Sequence, residues 1–414
     1  MLRIVKLRAT ALNLWILAKF LSWGLAEPFK FIDKNYPNNL INHPKKEEVL
    51  NQKQIIQAHL RNAHEIVSSP RYLELNKIGL NINKHIRIAI LVNSPENELI
   101  SDVLSELYDS AINIGQECKF FMMSGKAEES NLRVKNKFEI ENLLEIERYK
   151  PDLVFAEAHA KISKNYNSQI IFLEELKKRI KFKFFLISID LWRDYDINCI
   201  NNWKQIHDLL VHLDKQSARD FQISKEFWWP YFGHPKSNSQ MVEPLEQKFD
   251  VTFSGNLQFP ERRFWLYSCS NIARTYKIRF KVNAITHSFG KLKSRSIYLN
   301  ELLMAKTCLN HTWKKTGFTL ITFRTLDIVN SGRTLLQQED EMSKPLGDFL
   351  IPYKHYIPFT SLSELAAIFE IIKEDPKLII NVGKVGKVFY EENYTSYYLW
   401  QILIYKLKSL NYDA

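Results

Sequence analysis

The chain has 414 residues, of which 45% are hydrophobic and 25% charged, and this balance excludes disorder over the whole chain. It is long enough for two domains with separate cores. The formal net charge is +11, but 46 acidic residues are interleaved with 57 basic ones and no nucleic-acid-binding motif is present. We therefore expect no nucleic-acid partner, although a basic surface protein that binds lipid or nucleic acid remains an alternative.

The cysteines argue against a metal site. They lie far apart, without C-x-x-C spacing and without a nearby histidine pattern (Cys118, Cys199, Cys269 and Cys308). Such usage is typical of packed, free thiols in a reducing compartment. We expect no structural metal.

Residues 1–26 are first basic and then mostly apolar. The apolar run is interrupted by Asn13 and Lys19, so it suits neither a spanning helix nor the charge-free core of a signal peptide. Two interpretations remain open: an interfacial helix on an anionic membrane, and a helix packed on the protein's own surface. We expect a cytoplasmic location, with peripheral attachment to the inner face of a membrane as the open question.

The first part of the chain is predicted to be an extension followed by an α/β domain. Residues 1–80 form the extension, with a helix over 47–66. Residues 81–235 alternate apolar runs with helical patterns, with strands at 85–92, 118–123, 153–156, 184–189 and 209–213, and helices at 98–114, 138–149 and 169–180. This alternation favours a parallel sheet covered on both faces, as in a Rossmann-like domain.

A second α/β domain is predicted over residues 249–395, after a linker at 236–248. Its first strand runs into the small-residue turn Ser254-Gly255-Asn256, and a helix then begins with Arg263 in its first turn. Backbone N–H groups at a helix start, together with an arginine fork, can bind a phosphate, although a solvated helix start is the alternative for Arg263. Residues 396–414 are predicted as a helix that packs back toward the first domain.

Aromatic residues cluster around Trp229 and again over residues 394–400. Sugar stacking is one interpretation, but large aromatic side chains belong more often to the core. We therefore predict that both clusters are buried.

A helix predicted from residue 323 to Gly332 places Arg324 and Asp327 three positions apart, on one face. By spacing alone, an ordinary surface ion pair is the simpler interpretation. The residues on either side of this helix, however, favour a functional role for Arg324 and Asp327.

The landmarks that surround this helix follow a recognisable order: Tyr298, Leu302, Lys306, Leu309 and Asn310, then Gly317, Arg324, Asp327 and Gly332, then Asp348, His355, Tyr356, Phe359, Glu364, Leu365, Asp375 and Pro376. This pattern resembles the second half of a GT-B glycosyltransferase of the group 1 type that includes CgeB-like, spore-maturation sequences. A shorter stretch over 350–358 is similar to the lipopolysaccharide-modifying and protein O-glucosyltransferase group, which shares the fold. The resemblance covers the C-terminal part, and the first half matches in architecture alone.

The resemblance implies the fold and the reaction. The fold would be α/β of the GT-B type, with two Rossmann-like domains whose parallel sheets face each other across a cleft. The reaction would be transfer of a hexose-like sugar from a nucleotide-sugar donor to a glycan, lipid or protein acceptor, in the synthesis of surface glycans. A GT-B nucleotide-sugar epimerase is an alternative. No metal or cofactor is implied beyond the donor itself.

The resemblance also assigns roles to residues. Donor-binding residues would be Ser254, Gly255, Asn256, Arg263, Lys306, Arg324, Thr325 and Asp327. Asp327 would accept hydrogen bonds from the donor ribose, and the cations would stabilise the departing diphosphate. Asp327 stands where the family usually has Glu, and Thr319 cannot supply the first carboxylate of its E-x7-E pattern. Retaining or inverting stereochemistry is therefore open.

The catalytic base is predicted on the first domain, just beyond the carboxyl ends of two strands. The candidates are Asp190 and His159, either of which could deprotonate an acceptor hydroxyl. The alternatives are that Asp190 pairs with Arg193 and that His159 caps the next helix.

Overall fold

The computed structural model describes residues 44–75, 85–92, 102–122, 140–157, 166–188, 206–212, 226–229, 246–255, 260–284, 295–311, 323–339 and 346–409. The chain divides into two compact units. The first-sheet unit takes its described residues from 85–229 and 394–409, and the second-sheet unit from 44–75, 246–311 and 323–393. Across the described residues, no helix has both the length and the apolarity needed to cross a membrane.

The helices are α1 (Lys46–Asn62), α2 (Arg71–Leu75), α3 (Asp102–Asn113), α4 (Ile146–Tyr149), α5 (Tyr166–Arg179), α6 (Pro260–Thr275), α7 (Arg295–Leu303), α8 (Phe323–Asn330), α9 (Leu346–Phe349), α10 (Leu362–Glu374), α11 (Pro376–Asn393) and α12 (Ser396–Ser409). Short 3-10 turns follow α1 and precede α4. The helix predicted over 47–66 is confirmed as α1.

The first-sheet unit contains seven parallel strands in the order β3-β2-β1-β4-β5-β6-β7. They are β1 (Arg87–Val92), β2 (Glu117–Met122), β3 (Ile140–Asn142), β4 (Leu153–Glu157), β5 (Lys183–Ser188), β6 (Leu209–His212) and β7 (Glu226–Trp228). Residues 88–91 of β1 are fully buried, because helices cover both faces of a parallel sheet. The five strands predicted for this half are confirmed.

The helix predicted over residues 138–149 is wrong in its first half. Residues 140–142 form β3, which pairs with β2, and helix α4 begins only at Ile146. Asn142 ends the strand by accepting a hydrogen bond from the Leu144 N–H at 3.1 Å. Asparagine favours such local side-chain to backbone bonds over continuing a regular element.

Two tryptophans form the aromatic core of this unit. The ring centroids of Trp229 and Trp400 lie 5.2 Å apart. Trp229 donates its indole N–H to the carbonyl of Leu399 at 2.7 Å, and Trp400 donates to the hydroxyl of Ser110 at 2.8 Å. Both side chains are fully buried, so the prediction that the aromatic clusters belong to the core is confirmed for these two residues, whereas Tyr397 of the second cluster is exposed.

The second-sheet unit contains five parallel strands in the order β12-β11-β10-β8-β9. They are β8 (Phe249–Gly255), β9 (Phe280–Ala284), β10 (Ala305–Asn310), β11 (Thr334–Gln338) and β12 (Ile357–Phe359). From β8 the chain moves to one side, to β9, and then crosses to the other side, to β10. The strand order therefore reverses between β8 and β10. In open α/β sheets, ligands bind beyond the carboxyl ends of the strands at such a point.

Helix α1 is part of the second-sheet unit. Its residues Val49, Ile56 and Leu60 are buried in the same core as β8 and α10. The ammonium group of Lys53 lies 3.1 Å from the carboxylate of Glu370 and 2.6 Å from that of Glu374, both on α10. The described part of the predicted N-terminal extension thus contributes to a core that otherwise comes from residues 251–382.

Candidate functional site

Polar side chains stand at the carboxyl ends of four neighbouring strands of the second sheet. They are Ser254 on β8, Asn283 on β9, Asn310 on β10 and Gln337 on β11, and all four are buried. Buried polar groups are costly unless they are hydrogen-bonded, so each needs a partner. We call these four residues the polar layer.

One half of the polar layer connects β9 to β8. The Asn283 amide donates to the hydroxyl of Ser254 at 3.1 Å and to that of Thr252 at 3.2 Å. Ser254 was predicted as a donor-binding residue, and the structure places it at the switch point with its oxygen already accepting a bond from Asn283.

The other half centres on Asn310. Its amide nitrogen donates to Thr325 Oγ1 at 3.0 Å and to Gln337 Oε1 at 2.8 Å. Its amide oxygen accepts from Nη1 of Arg324 at 3.0 Å. The last residue of β10 therefore joins β11 to the first turn of α8, where Arg324 and Thr325 lie.

Arg324 uses only part of its guanidinium on the protein. Its Cζ lies 5.0 Å above the centroid of the Phe253 ring, and Nη1 bonds Asn310. Nε is shielded from solvent and has no hydrogen-bond partner in the described part of the chain. Nε and Nη2 form one edge of the planar group, and such an edge matches two oxygens of a phosphate or carboxylate.

Gly255 makes room for this guanidinium. A Cβ atom at position 255 would lie 2.4 Å from Nη2 and 2.8 Å from Cζ of Arg324, closer than real Cβ contacts. The two residues, both predicted as donor-binding, are therefore brought into direct contact. The absence of a side chain at this position lets another group approach the backbone closely.

The charge of Arg324 is held in a poorly solvated position. Burial lowers its pKa, and electrostatic interactions with Tyr298 and Asp327 oppose this effect. Arg324 donates its hydrogen bond to Asn310, and Asp327, which is buried one helical turn later, acts on it through charge. Arg324 and Asp327 therefore do not form the exposed surface ion pair that their spacing alone suggested.

The structure does not bring Lys306 together with Arg324. Lys306 is near the amino end of β10, whereas Asn310 is at the carboxyl end of the same strand. The ammonium group of Lys306 contacts the carboxylate of Asp250 at 2.9 Å. Arg279 contacts the same carboxylate at 3.1 Å. Burial alone would raise the pKa of Asp250, but the bonds from Arg279 and Lys306 outweigh it and lower the pKa to about 2.

The remaining predicted residues divide between described and undescribed parts of the chain. Thr325 is buried and accepts from Asn310, and Arg263 is half-buried in the first turn of α6. Asn256, Asp190, His159 and Thr319 lie outside the described residues. Their predicted roles stay predictions.

His355, a landmark of the resemblance, has a structural role here. It is buried, stacks on Phe389 with ring centroids 3.9 Å apart, and accepts the Ile351 N–H at 3.1 Å. Burial, with a smaller effect of Lys354, lowers its pKa to about 3, so the ring is neutral.

Sequence reasoning missed the roles of Asn310, Gln337 and Phe253. Asn310 was noted only as the end of a motif, although a polar residue at the carboxyl end of an apolar strand is itself a signal of a ligand-binding edge. Phe253 carried no signal, because an apolar residue inside a strand looks like any other core residue.

No protein-family model and no curated protein matches the sequence. Solved structures do match the fold. An alpha-glucosyltransferase in complex with UDP and a 13-mer DNA has a TM-score of 0.53 and 10% identity, covering 78% of this chain and 100% of its own. TarM has a TM-score of 0.53 and 7% identity, covering 79% of this chain and 99% of its own.

The catalytic domain of starch synthase IV from Arabidopsis thaliana, bound to ADP and acarbose, is also similar. Its TM-score is 0.51 at 8% identity, with 78% of this chain and 100% of that domain covered. Identities this low establish the fold and nothing finer. The protein has the α/β fold of GT-B glycosyltransferases, with two parallel sheets covered by helices, and the predicted fold class is confirmed.

Proposed function

We propose that this protein is a glycosyltransferase whose second-sheet unit binds the diphosphate of a nucleotide-sugar donor through Arg324. The observation that carries this proposal is the Nε and Nη2 edge of Arg324, which lies beside Gly255 at the switch point of the sheet. A buried polar atom without a partner requires an explanation, and a bound anion supplies one. The fold similarity to glycosyltransferases supports the same class.

Arg324 would act on both the donor and the transition state. In transfer, the bond between the sugar carbon and the diphosphate oxygen breaks, and negative charge develops on that oxygen. A fixed cation in a poorly solvated site stabilises this charge more than water does. The acceptor hydroxyl forms the new bond and gives up its proton, for which Asp190 or His159 remain the proposed bases.

The finer assignments belong to the same proposal. We propose a hexosyltransferase of the CgeB-like group that modifies a glycan, lipid or protein acceptor in surface-glycan synthesis. Arg324 supplies the counter-charge, so we propose that transfer needs neither a metal ion nor a cofactor. Full activity after dialysis against EDTA would agree with this, and activity restored only by added Mg²⁺ or Mn²⁺ would contradict it.

Nucleotide binding by Arg324→Ala tests the proposal. Isothermal titration with UDP and ADP should show a loss of affinity of about 10- to 100-fold, since a hydrogen bond to a charged group contributes about 1.5–3 kcal/mol. The matched control is Arg274→Ala, which removes the same charge from an exposed position on α6 of the same unit.

Two results would overturn the proposal. One is unchanged binding of both nucleotides by the folded Arg324 variant. The other is the absence of binding or thermal stabilisation of the wild-type protein by any nucleotide-sugar in a broad panel, because a ligand at 100 times its Kd should add about 2.7 kcal/mol. Conversion of a donor sugar to its epimer without an acceptor would instead indicate the epimerase.

Cytoplasmic location and membrane contact through residues 1–26 are a separate proposal. It rests on the basic and apolar sequence of a segment outside the described residues. Partitioning onto anionic liposomes should fall when residues 1–26 are deleted, and equal partitioning of the two proteins would contradict it.

A further inference from the structure

Asn310 connects the fold to the cation of the proposed donor site. It is the last residue of β10, is fully buried, and accepts from Arg324 Nη1 at 3.0 Å. A strand end in a central position of a sheet is among the most rigid parts of an α/β unit. An arginine held from such a position has little freedom to turn away.

The orientation of the Asn310 amide is set by its other contacts. Its nitrogen donates to Thr325 at 3.0 Å and to Gln337 at 2.8 Å, and both contacts are buried. If the amide were reversed, its NH₂ group would face a guanidinium, which has donors only. The network therefore fixes the oxygen toward Nη1, and Asn310 makes no bond to Nε or Nη2.

The hydrogen-bond partner of Arg324 is neutral, unlike that of Lys306 and Arg279 in the same unit. Lys306 and Arg279 share the carboxylate of Asp250, which offsets their charge. Arg324 instead donates to an amide, and burial lowers its pKa. A neutral partner orients the cation without cancelling the charge that an anion needs.

We infer that Asn310 is a positioning residue for the proposed donor site. It holds the Arg324 guanidinium against Gly255 and Phe253 with its Nε and Nη2 edge toward the donor diphosphate, and it does so without neutralising the charge. This inference rests on the proposed function. Asn310 itself does not touch the reacting atoms.

A double-mutant cycle tests the inference. Binding of UDP, ADP and inorganic pyrophosphate is measured by titration for the wild type, Asn310→Ala, Arg324→Ala and the double variant. We expect Asn310→Ala to lower affinity about 10-fold in the wild-type background and to have no further effect once Arg324 is absent. An equal loss in both backgrounds would show that Asn310 supports the unit in general, and the inference would fall.

Asn310→Asp tests the neutrality of the partner. The carboxylate keeps an acceptor for Nη1 but adds a negative charge beside the guanidinium, so we expect weaker binding than in Asn310→Ala. Affinity equal to or above that of the alanine variant would overturn this part of the inference.

Thermal unfolding shows whether these variants remain folded. If Asn310→Ala does not fold, Thr325→Val serves instead, because it removes one acceptor of the Asn310 amide. We expect that variant to lose affinity about 3-fold with Arg324 present and none without it. No effect of Arg324→Ala on binding would contradict the proposed function itself, whereas a normal Arg324 effect with an additive cycle would contradict only the role of Asn310.

Discussion

Replacing Gly255 with alanine should displace the Arg324 guanidinium while leaving the fold intact. The new Cβ would lie 2.4 Å from Nη2, whereas ordinary contacts begin near 3.4 Å. The far end of the arginine side chain must therefore withdraw by about 1 Å, which takes a charge-assisted bond of about 2.8 Å beyond the useful range. The backbone needs no change, since Gly255 does not have a left-handed conformation.

The expected magnitudes separate binding from stability. Loss of the bonds from the Nε and Nη2 edge should cost about 1.5–3 kcal/mol of nucleotide binding, or about 10- to 100-fold in Kd. Stability should change by less than about 1 kcal/mol. The strained contacts of Arg324 with Asn310 and Phe253 are offset by the smaller freedom of alanine in the unfolded chain.

Titration with UDP and ADP, paired with urea unfolding, measures both quantities. The matched control is Gly347→Ala, whose Cβ would meet Tyr356 at 3.7 Å and Pro352 at 3.9 Å, both ordinary contacts. That variant should bind like the wild type. If Gly255→Ala binds both nucleotides as tightly as the control, the proposed anion site beside Gly255 is wrong.

Three further predictions concern the stability of the second-sheet unit. Gly383→Ala should lower the free energy of unfolding by about 1–3 kcal/mol or more, measured in urea, because its Cβ would lie 2.6 Å from the backbone nitrogen of Thr334, which cannot withdraw as a side chain does. Asp250→Asn should be less stable than the wild type at pH 7. Because the folded pKa of Asp250 is lowered to about 2, this difference should persist above pH 4 and disappear as the pH falls toward 2, and a constant difference over that range would refute it. Lys53→Ala should release α1 from Glu370 and Glu374, seen as faster amide hydrogen exchange in residues 46–62, with exchange in α12 as the unchanged reference.

The strands could be predicted from sequence because a parallel sheet buries both faces. The unbroken apolar run in β1 is the direct result of that burial, and the same reasoning located the strands next to it. Strands β3 and β7 were missed, because three residues at a sheet edge carry too little pattern to stand out from the chain around them. The order of the strands within each sheet could not be predicted from the sequence, because it depends on which side of the sheet each connection takes.

The site was only partly predictable, because the resemblance grouped the residues of one motif without regard to the end of β10 at which each residue lies. Lys306 and Asn310 belong to the same strand and the same motif, yet four residues of extended chain separate them by about 13 Å. One end carries the ion pair with Asp250, and the other carries the polar layer. Treating the motif as a single site therefore grouped a stabilising cation with a candidate ligand-binding residue.

The difference in hydrogen bonding between these two ends indicates where a ligand belongs. Asp250 already accepts from Arg279 and Lys306, so an anion arriving there would have to displace a carboxylate that holds the sheet edge together. At the other end, Asn310 and Gln337 bond each other, and the Nε of Arg324 is left without a partner in the described residues. A buried N–H group without a hydrogen-bond partner lowers the stability of the unliganded protein. A phosphate oxygen that accepts from this group restores the lost free energy on binding. An anion should therefore bind at the carboxyl ends of the strands, beside Gly255, in preference to Lys306 and Arg279 at the amino ends.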